Sequence, residues 1–296
     1  MNADQQAPAH TLLLTAVQRE QTDQMVVTMA RMIVNGDLLA EGIGTFLPTA
    51  AYMLAKHTHA PDCTSLCPNG NSLMEGTRTL TLGHDEFETI PKASMWLDYL
   101  QINLMYMPTI FIGGKPRWTE FMRPAQLDPM GATNNVCIGT HATPRVRLPG
   151  AAGIPDASTV AQRFYYYSPR HTKQVFVPEL DFCSGAGHPG EGAATDAQRP
   201  REISVVTNLC VMTSAPEGRL QVTHLHPGVS RREVEDNTGF RIDWAQNVAL
   251  TSPPTAAERS LLDETIDPRG LRFLEVLTGA ARRTRLRALA NQKLDP

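Results

Sequence analysis

Leu38-Leu39-Ala40-Glu41-Gly42-Ile43-Gly44-Thr45-Phe46-Leu47-Pro48, running on to Lys56, places a short apolar strand before a glycine turn and then a helix. That order is the βα unit of an α/β sheet. Upstream, Met25, Val26, Met29 and Ile33 recur at helical spacing and predict a helix over 22–35, with Asp23 at its start and Asn35-Gly36 at its end. Downstream, a second strand over 63–67 runs into the polar loop Pro68-Asn69-Gly70-Asn71, and a strand over 109–112 closes on Gly113-Gly114. A turn-rich stretch follows Ala125-Gln126-Leu127-Asp128-Pro129-Met130-Gly131 and continues to Gly153. The segments 174–177, 203–207 and 221–225 predict further strands. A short helix over 230–237 carries the capping-box pattern Ser230-x-x-Glu233, and another amphipathic helix is predicted over 255–265.

Composition bounds the function before any motif does. The chain has 296 residues, 42% of them hydrophobic and 19% charged, with a formal net charge of −3. This is globular and not disordered, and the near-balance of charge argues against a general nucleic-acid or anionic-membrane binder. The 21 glycines and 22 prolines follow no period and predict many ordered turns. No apolar run reaches the length of a membrane span, and residues 1–10 lack the basic start of a secretory signal. With an odd number of cysteines, five, the expected location is the cytoplasm. Arg272, Arg282, Arg283, Arg285, Arg287 and Lys293 lie among leucines and alanines at helical spacing. This basic tail reads as a solvated helix, with a phosphate-docking arm as the sharper alternative.

The candidate chemistry lies at the ends of apolar runs, because open α/β sheets bind ligands beyond the carboxyl ends of their strands. That directs attention to Glu41-Gly42-Ile43-Gly44, to Pro68 through Asn71, and to Gly113-Gly114. Glycines there let backbone N–H groups converge on an oxyanion. Gly42-x-Gly44 lacks the third glycine of a dinucleotide fingerprint, since Leu47 holds its place, so NAD is not expected. The alternating pair His224-x-His226 has no third ligand by spacing, and Cys63-xxx-Cys67 has no partner pair, so no metal is expected. Neither a Gly-x-Ser-x-Gly elbow nor a His-Glu-x-x-His helix occurs.

The order of motifs resembles the β subunits of family I CoA-transferases, glutaconate CoA-transferase in particular. The resemblance rests on Gly42-x-Gly44, Ala60-Pro61-Asp62-Cys63, Ala125-Gln126-Leu127-Asp128-Pro129-x-Gly131, Ile138-Gly139, Pro144-x-x-Arg147, Gly150-x-x-Gly153, Glu233-Val234-x-x-Asn237-Thr238-Gly239-Phe240 and Ile266-Asp267-Pro268. Val175-Phe176-Val177, Val206-Thr207-Asn208-Leu209 and His226-Pro227-Gly228-Val229 resemble more closely the β subunit of the steroid-ring-opening acyl-CoA hydrolases. The resemblance implies the CoA-transferase fold, a single-domain α/β open mixed or parallel sheet with flanking helices over 22–272. An extension over 1–21 and a basic tail over 273–296 would flank it. It also implies an α-type partner in an α2β2 assembly, and an acyl-CoA substrate that brings coenzyme A with it and needs no other cofactor.

One departure bears on the reaction. The transferase β subunits carry Glu-Ser-Gly after the strand that follows the Ala-Pro-Asp-Cys segment, and its glutamate attacks the thioester. Here the matching residues are Pro68-Asn69-Gly70, which favours the hydrolase branch, whose catalytic glutamate comes from the α partner. The resemblance then implies a pocket lined by Asn69, Gly70 and Asn71, with Glu75 as a substitute carboxylate. Gly42, Gly44, Gln126, Asn134, Arg145 and Arg147 would contact substrate, the arginines through CoA phosphates. Turn chemistry explains the Asn-Gly pair equally simply, and Gln126, Asp128 and Asn134 have the alternative role of holding the long loop. CoA transfer, and a non-catalytic subunit that only supports its partner, are the competing readings.

Overall fold

The computed structural model describes residues 14–42, 44–67, 71–82, 90–98, 100–101, 118–160, 163–188 and 202–291. The chain divides into two compact units: 1–35, 41–96 and 254–296 form one, and 36–40 with 97–253 form the other.

In the first unit, the helix Ala16–Met32 begins before the predicted position 22. Thr15 supplies a capping box: its hydroxyl accepts from Gln18 N–H and the Gln18 side chain accepts from Thr15 N–H. The helix Phe46–His57 is buried from Leu47 to Lys56, and the two helices pack on each other. The strand Thr64–Cys67 pairs antiparallel with Ser72–Met74, which pairs with Met95–Trp96. Near the C-terminus, the helix Ala256–Ser260 starts at the Thr255/Glu258 capping box and widens into a π-helical turn, Leu261–Ile266. The 3-10 turn Leu271–Glu275 and the helix Gly279–Ala290 complete this part.

That basic segment is not uniformly solvated. Arg282, Arg283 and Arg287 are exposed, but Arg285 is buried and Arg272 has 0% exposure. Arg272 bonds Asp23 through Nε at 3.0 Å, Asp267 through Nη1 at 3.0 Å and Asp263 through Nη2 at 2.5 Å. Its guanidinium also lies 4.2 Å from the Phe273 ring centroid. Burial by itself would favour loss of its proton, but the three carboxylates outweigh that and hold it charged.

In the second unit, Leu38–Ala40 pairs parallel with Trp118–Thr119. A six-stranded mixed sheet runs in the order Asp243–Leu250, Leu220–Leu225, Cys210–Ser214, Glu202–Thr207, Arg163–Ser168, Phe121–Met122. The 202–207, 210–214 and 220–225 strands are antiparallel neighbours, and the other pairings are parallel. The helices Ile154–Val160 and Arg231–Asn237 belong to this unit, and Ser230 caps the second by accepting from Glu233 N–H. Its core is built from Tyr166, Val205, Met212, Val222, Leu127 and Phe176; each such side chain gains about 1.5–3 kcal/mol from burial.

Two of the predicted strands need comment. Residues 173–175 form a turn, with Val175 and Phe176 N–H both donating to the Thr172 carbonyl, and the predicted strand is reduced to a single parallel bridge of Phe176 to Leu127. Pro178 follows directly and cannot donate into a ladder. The predicted strand over 109–112 lies outside the described residues. Among the described residues no helix is long and apolar enough to cross a membrane.

Candidate active site

The strand Leu38–Ala40 hands the chain to Glu41, whose N–H donates to the Leu66 carbonyl at 2.9 Å. Arg78 Nη2 donates to the Glu41 carboxylate at 2.5 Å, and both side chains are shielded from water. Lys56 Nζ reaches the Met74 carbonyl at 3.4 Å. Burial lowers the Lys56 pKa, and the Glu41 charge opposes that shift. These three residues form a buried ionic group immediately ahead of Gly42.

At Gly42 the space is tight, because a Cβ there would lie 3.0 Å from Thr45 Cγ2 and that side chain would have to shift. The Thr45 hydroxyl donates to the Gly42 carbonyl at 2.9 Å, and Gly44 adopts a φ of +66°. The helix behind this turn does not present an open N-terminus, since Leu47 N–H donates to Glu275 Oε1 at 2.8 Å. One donor of that first turn is already matched to the chain's own carboxylate.

In the hairpin, Cys67 pairs with Ser72, and Asn71 holds a left-handed φ of +50°. Asn tolerates this region better than most residues. Pro68, Asn69 and Gly70 lie outside the described residues. Glu75 is exposed, and its N–H is 3.4 Å from Ser94 Oγ.

The second unit holds the remaining expected residues. Asn134 Nδ2 donates to Gln126 Oε1 at 2.7 Å and to the Cys137 carbonyl at 2.6 Å, while Asn134 Oδ1 accepts from Val136 N–H at 2.9 Å. Gln126 Nε2 donates to Asp181 Oδ2 at 2.9 Å. Asp128 Oδ1 accepts from Met130 and Ala132 N–H, and Gly131 closes the turn at a φ of +77°. These amides tie the loop after Phe121–Met122 to the segment around Asp181. Arg145 and Arg147 lie apart from that network. Both are exposed on the hairpin of Cys137–Ile138 and Val146–Arg147, where Arg147 Nη2 contacts the His141 carbonyl at 3.4 Å.

Titratable side chains are buried here in their neutral forms. His171 stacks on Phe176 at 3.9 Å between centroids and contacts the hydroxyls of Thr207 and Thr238 at 3.1 and 2.9 Å. Burial pushes its pKa down to about 3. His226 contacts the Thr207 carbonyl and the Thr251 hydroxyl, each at 2.8 Å, and burial lowers its pKa to about 4. No group of three or more metal-binding side chains occurs among the described residues. Glu120 is half-buried. Burial raises its pKa to about 7, with the Trp118 indole N–H bond pulling weakly the other way.

Comparison with known proteins gives this geometry its context. The coenzyme A transferase family model matches residues 109–237. In Pseudomonas knackmussii, the B-type chain of 3-oxoadipate CoA-transferase is 33% identical over 270 residues, covering 88% of this chain and 94% of that protein. The chain belongs to the coenzyme A transferase family. The cholesterol ring-cleaving hydrolase IpdB subunit of Rhodococcus jostii is 33% identical over 153 residues, 51% of this chain and 60% of that protein. The crystal structure of glutaconate coenzyme A-transferase from Acidaminococcus fermentans superposes with a TM-score of 0.74 at 22% identity, covering 88% of this chain and 98% of that one, which supports the shared fold.

In this chain the sequence pointed to the loops and missed the buried titratable groups. Glu41 is part of the predicted strand-end motif, yet nothing in the sequence pairs it with Arg78, 37 positions on. Glu120 gave one usable signal: it is the only charged residue between Trp118 and Met122.

Proposed function

We propose that this chain is the β-type subunit of a heteromeric enzyme, completed by an α-type subunit as α2β2, that acts on an acyl-CoA thioester in catabolism. The reaction we infer is hydrolytic C–C ring cleavage of a cyclic or β-keto acyl-CoA, with the catalytic glutamate on the α partner. Coenzyme A enters as part of the substrate and no separate cofactor is used. The cytoplasm is the proposed compartment, in keeping with five cysteines of which none is in a disulfide.

This reading is supported by Pro68-Asn69-Gly70, which the resemblance sets at the place of the transferase Glu-Ser-Gly, in a chain that also aligns with the IpdB subunit. A proline offers no carboxylate for acyl transfer, whereas a hydrolase needs only water, a base and an oxyanion site. Water activated by the partner glutamate adds to the ring carbonyl carbon. The C–C bond then breaks, its electron pair passes into the thioester enolate, and the enolate takes up a proton. Asn69, Gly70, Asn71, Gly42 and Gly44 are proposed to line the enolate pocket, and Arg145 and Arg147 to meet the CoA phosphates. Gln126 and Asn134 are proposed to position the intervening loop.

The reconstituted two-subunit enzyme is expected to convert a cyclic β-keto acyl-CoA into a product heavier by one water, with CoA still attached, as read by mass spectrometry. A second reading has its own support. The 3-oxoadipate CoA-transferase chain aligns over far more of this protein than the hydrolase chain does. Under that reading nothing happens until a free carboxylic acid is added, and CoA then appears on the acid. A purely supporting subunit is recognised differently: Asn69→Ala and Asn71→Ala would leave turnover unchanged.

A further inference from the structure

Among the described residues, two large apolar side chains stand exposed side by side on one short strand. Met95 is 53% exposed and Trp96 66%. Their strand lies outermost, antiparallel to Ser72–Met74, and no strand pairs on its other side among the described residues. The neighbouring strand is buried at every position, with Ser72 at 0%, Leu73 at 8% and Met74 at 1% exposure. Successive residues of a strand face opposite sides of its sheet. Exposure of both Met95 and Trp96 therefore leaves this corner of the sheet uncovered on both faces.

The corner adjoins the hairpin of the first unit. Trp96 pairs with Ser72, and Ser72 pairs across the hairpin with Cys67. Ser72 follows Asn71 directly, so the Trp96 backbone is one strand spacing, about 4.8 Å, from the residue next to Asn71. In the adjacent row, Glu41 N–H donates to the Leu66 carbonyl at 2.9 Å, which brings Gly42 to the same end of the sheet. The surround is polar: Glu75, Lys92 and Ser94 are all exposed, and Glu75 N–H is 3.4 Å from Ser94 Oγ. An apolar centre of Trp and Met within a polar rim is the anatomy of a protein–protein interface. The edge is only two residues long, which is too short to hold a second copy of the chain by strand addition. Affinity at this corner has to come from the side chains.

We propose that Met95 and Trp96 are the anchor on which the α-type subunit docks. This rests on the two-subunit reading above, in which the partner brings a glutamate to a pocket that includes Asn71 and Gly42. A partner that reaches Asn71 comes within one strand spacing of Trp96, so the face that completes the pocket is continuous with the face that covers the indole. Covering Trp96 also withdraws a large exposed ring from water, the kind of residue that dominates binding energy when it fills a partner's pocket. Lys92 and Glu75, opposite in sign on the rim, fix which way round the partner sits.

The test dilutes the complex of this chain with its α-type subunit and follows dissociation by sedimentation, for the parent, Trp96→Ala, Trp96→Phe and Met95→Ala. Leu250→Ala, at a side chain 67% exposed in the other unit, is the control. Trp96→Ala is expected to weaken assembly at least about 30-fold, the loss of an interface hot spot. Met95→Ala should weaken it less, Trp96→Phe should recover most of the affinity, and Leu250→Ala should match the parent. At subunit concentrations that restore the complex, Trp96→Ala should turn over at the parent kcat, because the ring docks and does no chemistry. Dissociation of Trp96→Ala at the parent concentration would overturn the proposal. So would self-association of this chain that Trp96→Ala abolishes while α-type binding is unchanged, since the patch would then belong to a second copy. If Trp96→Ala does not fold, hydroxyl-radical footprinting of the unsubstituted chain decides. Slower oxidation of Trp96 in the complex than in the chain alone is expected, and equal rates would overturn the proposal. A parent chain that binds no α-type subunit would overturn the two-subunit reading itself, and this proposal with it.

Discussion

The two units bury titratable groups in different company. In the first, Arg272 is sealed among Asp23, Asp263 and Asp267, with Arg19 also bound to Asp263 at 2.6 Å and Arg259 to Glu20 at 2.9 Å. Charge is buried there beside counter-ions, although burial still raises the pKa of Asp23 and Asp267 against the pull of Arg272. In the second, His171, His226 and Cys210 are buried away from counter-ions and Glu120 is half-buried, and each pKa moves toward the neutral form. Burial raises the Cys210 thiol to about 12, so it behaves as an apolar side chain. Compensated ions make architecture, because neither partner can change state cheaply. Uncompensated neutral groups respond to pH.

The difference can be broken most forcefully at Arg272. Arg272→Met should destabilise the first unit by about 3–5 kcal/mol, because three carboxylates lose their buried cation. Hydrogen exchange in the helix Ala16–Met32 reads this directly, and unchanged protection there would show the network to be dispensable. The second unit should fail first in acid. Its two histidines have folded pKa values below the ordinary value of 6.5, so unfolded chains bind the extra protons. Stability is then fully present above about pH 6.5 and falls as pH drops toward the folded values, by about 2 kcal/mol per histidine at pH 5. Urea unfolding followed by exchange in the Glu202–Thr207 strand should show this slope, and His171→Asn should reduce it. The smallest effect is expected at Arg283 and Arg287, exposed on the helix Gly279–Ala290. Their replacement by Ala should change stability by no more than about 0.5 kcal/mol in a thermal melt.

The elements that the sequence revealed are those with local causes. The strand–glycine turn–helix unit at Leu38, the strand before Pro68 and the cap at Ser230 all depend on neighbours within a few positions. Arg163–Ser168 escaped notice because Phe164 to Ser168 are all buried, so no polar alternation marks them as a strand. The strand pattern at Val175 misled for the converse reason: three apolar residues precede a proline, and a turn forms instead. The Arg272 network was invisible because Asp23 and Arg272 stand 249 positions apart. A basic tail reads as solvent-facing until the fold brings its partners. For the site itself, the glycine and asparagine positions were legible as turns, whereas the acidity of Glu120 arises from its surroundings.

The central claim is that this subunit serves a hydrolytic enzyme and carries no acyl-accepting glutamate. The most direct measurement is the intact mass and activity of the two-subunit enzyme after incubation with acyl-CoA and borohydride. Unmodified mass of this subunit with activity retained is the predicted result. Inactivation that depends on acyl-CoA, with a reductively trapped glutamyl adduct on this chain, would contradict it.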